Sequence, residues 1–195
     1  MKKHKNNSLT AIIKIYFVAM LATLATCKDK STTTQQASSS TKVEAPAIDI
    51  HTTVVSGNIE ALKQHLAAGT NINEKDPFGG SSPLISASLF GKTDMAKILI
   101  DAGADLNFQN NDGSTALHTS AFFCRPEIVQ LLLDKGANKT IKNKFGSTAY
   151  ESMVVPFADV KQVYDMMGQM LAPMGLKLDY PYLEKTRPVI ASMLK

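Results

Sequence analysis

The stretch Thr115-Ala116-Leu117-His118 decides the fold, because related stretches stand at Ser82-Pro83-Leu84-Ile85 and, more faintly, at Thr148-Ala149-Tyr150-Glu151. Glycine follows a matching period of 34 and then 33 residues at Gly69, Gly103 and Gly136. A fixed period of this size is typical of a repeat array, in which each unit packs only against its neighbours.

Each unit is predicted to hold a short helix followed by a longer amphipathic helix. The short helices follow Ser82 and Thr115, whose hydroxyls can accept the unpaired N–H groups of a first helical turn, and Pro83 fits that turn. Apolar residues recur at helical spacing within 59–66, 94–100 and 127–133. The glycine after each longer helix can adopt the left-handed conformation that ends it.

This pattern resembles the ankyrin repeat, with the sequences Gly-Ala-Asp-Leu-Asn at 103–107 and Asp-Gly-Ser-Thr-Ala-Leu-His at 112–118. The resemblance covers about residues 48–157 and implies an all-α solenoid of about four helix-turn-helix units with hairpin loops. Cys124 stands in the usual glycine place, and Ile85 and Glu151 stand in the usual histidine place. The units are predicted at 48–80, 81–113, 114–146 and 147–172.

The C-terminal segment departs from the repeat after Asp159. Val160, Tyr164 and Leu171 keep helical spacing, which predicts that the fourth unit retains its long helix. An open array must cover its last apolar face. We therefore expect residues 173–195 to form a cap, with its helix between Tyr182 and Leu194.

The first 26 residues are typical of an export signal. Lys2, Lys3 and Lys5 form a positive start to the chain, and an apolar run at 15–24 follows, which is shorter than the roughly 20 residues of a membrane-spanning helix. The run ends at Leu24-Ala25-Thr26-Cys27, which resembles the lipobox of bacterial lipoproteins and implies that Cys27 is lipidated, although Thr26 departs from the pattern. Cleaved soluble export and an uncleaved anchor are the alternatives. Residues 27–47 are predicted to form a disordered, Ser/Thr-rich tether.

The charge balance argues against nucleic-acid binding. Four of the 21 basic residues precede Cys27 and none of the 17 acidic residues does, so 17 of each sign remain. The segment from Cys27 onward therefore has no net charge to attract phosphates. We expect a monomer anchored by lipid in a bacterial cell envelope, on the periplasmic side or in the outer membrane.

The sequence contains no pattern that indicates catalysis, a metal or a cofactor. The histidines have no i, i+4 pairing of the kind that a zinc helix uses. The ankyrin resemblance implies instead that His51 and His118 form hydrogen bonds that tie neighbouring units. Cys124 is interpreted as a small core residue. We expect no enzyme activity.

A protein-binding function is the hypothesis that remains. In the ankyrin family, the two residues before the mid-repeat glycine place face the concave side, as do the hairpin tips. The predicted partner-binding set is therefore large and apolar: Phe78, Leu89, Phe90, Phe122, Phe123, Phe145 and Val155. The partner is expected to be another envelope protein. The alternatives are an immunity protein that blocks a toxin or envelope enzyme, and a factor that protects against oxidative stress.

Overall fold

A computed structural model describes residues 43–195, so the predicted signal, Cys27 and most of the predicted tether lie outside the described residues. The described part contains only helices and loops. The helices are α1 (Ile50–Ser56), α2 (Ile59–Ala67), α3 (Pro83–Phe90), α4 (Thr93–Asp101), α5 (Ala116–Phe122), α6 (Pro126–Asp134), α7 (Ala149–Val154), α8 (Phe157–Leu171) and α9 (Tyr180–Leu194), with a 3-10 turn at Ala172–Met174.

The short helices begin at hydroxyl or carboxylate side chains, which include the predicted Ser82 and Thr115. Asp49, Ser82, Thr115 and Thr148 each accept a backbone N–H of the first turn of α1, α3, α5 and α7, respectively. In α7, Glu151 also reaches back to the Thr148 backbone N–H, at 2.7 Å, which completes a capping box. Glu151 stands in the usual histidine place, and it accepts the backbone N–H of its own cap residue as His118 does in the third unit.

The helices stack in two layers. The inner layer is α1, α3, α5 and α7 in order, and α2, α4 and α6 pack behind it and against one another. Leu99, Leu117 and Leu132, which the repeat pattern predicts to be buried between units, are at most 1% exposed. The prediction of an all-α repeat solenoid is confirmed.

The fourth unit differs from its prediction. The helix that packs against α7 and also contacts α5 and α6 is α9, not α8. α9 therefore holds the position that the outer helix has in the other units, and α8 is an insertion between the two helices of the last unit. Helical spacing predicts α8 correctly as a helix, but the predicted division into a unit at 147–172 and a cap at 173–195 needs this correction.

Loops between the units are tied to one another by side chains and backbone. Asn73 accepts the Asp105 backbone N–H, and Asn107 accepts the Asn138 backbone N–H, both at 2.9 Å. His118 bonds its own cap residue Thr115 at 2.9 Å and approaches the Ser147 carbonyl of the next unit at 3.1 Å. These bonds between units fix the spacing of the hairpin tips.

Candidate protein-binding surface

The two tip phenylalanines of the predicted set lie in solvent. Phe78 is 90% exposed and Phe145 is 78% exposed. The conformation of each loop is fixed by hydrogen bonds to a nearby polar side chain and not by packing of the ring. Asp76 accepts the backbone N–H groups of Phe78 and Gly79 at 2.8 and 2.7 Å, and Asn143 accepts that of Phe145 at 3.0 Å. Both rings therefore stand on hydrogen-bonded turns and bury little area against the rest of the protein.

The Asp76 carboxylate shows how firmly the first tip is held. Partial burial acts to raise its pKa, but the N–H donors of Gly79, Phe78 and Ser81 outweigh burial and lower the pKa below its ordinary value. The Ser81 N–H donates at 2.6 Å. The carboxylate is therefore charged at neutral pH and organises the turn that presents Phe78.

Backbone hydrogen bonds join the three tips into one row. The Asn111 N–H donates to the Gly79 carbonyl at 2.9 Å, and the Lys144 N–H donates to the Asp112 carbonyl at 2.8 Å. The exposed side chains along this row include Phe78, Asp112, Lys144 and Phe145, so a carboxylate and an ammonium group lie between the two rings. A partner that contacts the row therefore meets two separated aromatic groups, a carboxylate and an ammonium group.

Leu89 and Phe90 end α3 and are half-buried. The chain leaves this helix through Gly91, whose φ of 64° is left-handed. Arg125 of the next unit donates to the Leu89 carbonyl at 3.3 Å and closes the helix end. Part of each side chain remains accessible at the end of this inner helix.

Phe122 and Phe123 are placed differently from the prediction. Phe123 is 2% exposed and belongs to the core, so it is not available to a partner in this conformation. The turn at Cys124, with a left-handed φ of 51°, matches the one at Gly91, but in this unit the Tyr164 ring of α8 packs edge-to-face on Phe123 at a centroid distance of 6.3 Å. Phe122 is half-buried beneath α8, with its ring stacked on that of Tyr164 at a centroid distance of 4.4 Å.

Val155 is 38% exposed and follows the last residue of α7. Its carbonyl accepts a hydrogen bond from Arg187 at 2.8 Å. The predicted set is thus divided: the two tip rings and Val155 are exposed, Leu89, Phe90 and Phe122 are half-buried, and Phe123 is in the core.

Arg187 is a residue that sequence reasoning missed. It is only 3% exposed, and its acceptors within residues 43–195 are neutral oxygens: the carbonyls of Ser152, Met153 and Val155 and the hydroxyl of Tyr164. Its signal in the sequence is its position on the apolar stripe of α9, between Leu183 and Ile190. The Arg187 guanidinium therefore donates both to the last carbonyls of α7 and to the Tyr164 hydroxyl of α8.

The described residues offer little for catalysis. Within 43–195, no three His, Cys, Asp or Glu side chains come together as metal ligands. Burial raises the pKa of the Cys124 thiol to about 11, despite the nearby cations Arg187 and Arg125. The thiol is therefore protonated at neutral pH and a poor nucleophile, which weighs against the oxidative-stress alternative. In the same part of the chain, no helix has both the length and the apolar content to cross a bilayer.

Comparison with known proteins agrees with the two-layer helical fold. The family model for ankyrin repeats (three copies) matches residues 50–143. The human DNA-binding protein RFXANK is 37% identical over 59 residues, which are 30% of this chain and 23% of that protein. Human protein phosphatase 1 regulatory subunit 27 is 39% identical over 64 residues, which are 33% of this chain and 41% of that protein.

A solved structure, the ankyrin repeat domain of Bcl-3, aligns with a TM-score of 0.52 and 30% identity, covering 53% of this chain and 45% of that one. The chain spans less than half the length of each of these relatives. Ankyrin repeats are a protein–protein interaction module, and their match falls on the units that present the row of tips. This chain therefore contains ankyrin repeats and folds as an ankyrin-repeat solenoid.

Proposed function

We propose that this protein binds a protein partner without catalysis, through its hairpin tips and the accessible ends of its inner helices. The observation that carries the proposal is the exposure of Phe78 and Phe145 on tips that Asp76 and Asn143 hold in place. Single exposed apolar residues are common on protein surfaces. Two aromatic rings at corresponding tips, each unnecessary for its own loop, are what an interface would use as anchors.

The class of partner is argued from charge. One relative is described as a DNA-binding protein and another as a regulatory subunit of a phosphatase. From Cys27 onward this chain carries equal numbers of basic and acidic residues, and Asp112 lies in the row between the two rings. The neighbouring Lys144 balances this carboxylate, so the row has no net positive charge that would attract phosphates. A protein surface with apolar pockets and a basic or hydrogen-bonding group between them fits better.

The proposal is tested by separating binding from stability. Phe78→Ser and Phe145→Ser are each expected to weaken capture of a crosslinked partner by about tenfold or more, because truncated aromatic anchors commonly cost 2 kcal/mol or more. Their free energies of unfolding are expected to change by less than about 0.5 kcal/mol. Val189→Ser is the matched control, since Val189 is an apolar residue of α9 that is 54% exposed.

Equal capture by wild type and both tip variants would contradict the proposal. Loss of capture by Val189→Ser alone would move the binding surface to α9. Crosslinking in intact cells followed by purification identifies the partner and therefore distinguishes an immunity function, which requires a toxin or an envelope enzyme, from a scaffold.

We further propose that Cys27 anchors the protein by lipid in a bacterial envelope. The support is the apolar run at 15–24 that ends at Leu24-Ala25-Thr26-Cys27 and is followed by a polar stretch. Metabolic labelling with a fatty-acid analogue is expected to mark the wild type and not Cys27→Ser, with Cys124→Ser as the control that keeps its label. Equal labelling of wild type and Cys27→Ser would contradict the anchor.

A further inference from the structure

α8 is attached to the rest of the solenoid far more weakly than the outer helices are. Of its fifteen residues only Tyr164 is buried, whereas α4 and α6 bury several apolar residues each. Its outward stripe is apolar, with Val163, Met166 and Met170 exposed at 40%, 60% and 62%. Helices that bury so little side-chain area open locally at a small fraction of the global free energy of unfolding.

The attachment of α8 is centred on Tyr164, its one buried residue, with Phe157 and Val160 packed partly against the core. Its ring stacks on Phe122 and lies 5.8 Å from the ring of Phe157, and its hydroxyl donates to the Phe122 carbonyl. Arg187 donates to the same hydroxyl at 3.1 Å. Further along, the Leu178 side chain packs against Gly168 of α8 and Lys161 lies 5.0 Å from the centre of the Tyr180 ring, beside an open groove of about 410 Å³ at the end of α8.

The surface beneath Tyr164 corresponds to one that other units leave accessible. Phe122 stands in the same position of its unit as Leu89 and Val55, two residues before the glycine place, and both of these side chains are half-buried rather than buried. Leu89 at the end of α3 has its carbonyl closed by Arg125 from the following unit. In the fourth unit Ala158 stands in the place of that basic residue, and Tyr164 of α8 donates to the Phe122 carbonyl instead.

The last unit does not need α8 in order to remain closed. α7 packs directly against α9, and Arg187 bonds the carbonyls of Ser152 and Val155 at 2.8 Å without involving α8. Val155 and Pro156 lead into α8, and Gly175, with a left-handed φ of 90°, lies after it. Both ends of the insertion therefore join it through non-helical residues that can act as hinges.

We infer that α8 is an internal occupant of the inner-helix surface at Phe122, and that it leaves this surface when a partner presents a helix with an aromatic residue there. The displacement of α8 by a partner rests on the proposed function. The detachment of α8 from the Phe122 surface can be measured without any partner. While α8 is bound, Tyr164 covers one face of the Phe122 ring, so a partner has access to the tips, the end of α3 and Val155.

Hydrogen exchange on the full chain tests whether α8 detaches. The amides of Phe157–Leu171 are expected to exchange at least about 100-fold faster than those of α5 and α9, as one cooperative group, because an isolated helix of this length is marginal in water. Exchange of α8 at the same rate as α5 and α9 would show that it opens only with the whole solenoid and would overturn the inference. This measurement uses the wild type and depends on no variant.

A peptide of residues 156–172, labelled with fluorescein, tests whether the surface accepts a helix from outside. We expect it to bind the Tyr164→Ala chain about tenfold or more tightly than the wild type, with titration to about 1 mM because tethered segments have effective concentrations of that order. The same peptide carrying Tyr164→Ala should not bind. Met166→Ala, on the exposed stripe of α8, is the chain control and should behave as the wild type does.

Absence of binding to Tyr164→Ala, or equal binding of both peptides, would overturn the inference. If Tyr164→Ala does not fold, the hydrogen-exchange result on the wild type decides. Failure of the tip variants to affect partner capture would remove the proposed function but would leave both of these results unchanged.

Discussion

The guanidinium of Arg187 and the carbonyl oxygen of Val155 lie 2.8 Å apart, so a buried cation on α9 closes the end of α7. The carbonyls of Ser152 and Met153 accept from the same nitrogen at 2.8 and 3.3 Å. A helix C-terminus favours a positive charge because its carbonyl groups are unpaired and its dipole is negative there. Arg187 provides both the charge and the donors.

We expect Arg187→Met to lower the free energy of unfolding by about 2–4 kcal/mol, because it keeps much of the side-chain volume but leaves several buried carbonyls without donors. Urea denaturation followed by circular dichroism measures the change. Lys185→Met is the control on the exposed face of the same helix and should change stability by less than about 0.5 kcal/mol. Similar stability of Arg187→Met and wild type would contradict this assignment.

Cys124 combines a buried side chain with a left-handed backbone, at a φ of 51°. Cys124→Ala keeps the strained backbone and loses the sulfur contacts, whereas Cys124→Gly removes the strain of about 1–2 kcal/mol as well. We therefore expect the glycine variant to be more stable than the alanine variant by about 1 kcal/mol, although it removes more atoms. Thermal melts of both variants check this order, and the reverse order would show that the position is unstrained.

Leu132 is fully buried between the third unit and its neighbours. We expect Leu132→Ala to lower the free energy of unfolding by about 2–5 kcal/mol through lost apolar burial and a residual cavity. Because repeats contact only their neighbours, hydrogen exchange should increase most in the second to fourth units. A uniform increase over the whole chain would contradict this nearest-neighbour description.

Burial lowers the pKa of His118, and its hydrogen bond to the Ser147 carbonyl opposes this only in part. The unfolded chain, with an ordinary histidine pKa of about 6.5, therefore binds a proton at higher pH than the folded chain does. The stabilising contribution is complete above about pH 6.5 and is lost progressively as the pH falls below it. Stability curves of wild type and His118→Gln should converge on acidification, and parallel curves would contradict this.

The sequence predicts most of the architecture because the repeat period alone determines which faces are apolar. Leu99 and Leu132 follow from helical spacing, and the caps at Ser82 and Thr115 follow from hydroxyl chemistry. Spacing does not determine which of two successive helices packs against α7. α8 and α9 both have apolar positions at helical intervals, and only the contacts of the folded chain identify α9 as the partner of α7.

The candidate surface was harder to predict because the repeat pattern does not show which residues α8 covers. The pattern treats Phe122 and Phe123 as an exposed pair, as if every unit ended its inner helix in the same way. The left-handed turn at Cys124 matches the one at Gly91, but Tyr164 of α8 packs on both phenylalanine rings and leaves Phe123 only 2% exposed. The exposure of Phe78 and Phe145 could be predicted because both residues lie at hairpin tips, which project away from the packed helices.

The insertion also sets an order of assembly for the chain. In the first three units the two helices are separated by a few residues, but residues 155–179 intervene between α7 and α9. Closing this longer loop costs roughly 2 kcal/mol more in chain entropy than closing a two-residue turn. The last unit should therefore close after the others during folding, and should be the first to open under mechanical or thermal load.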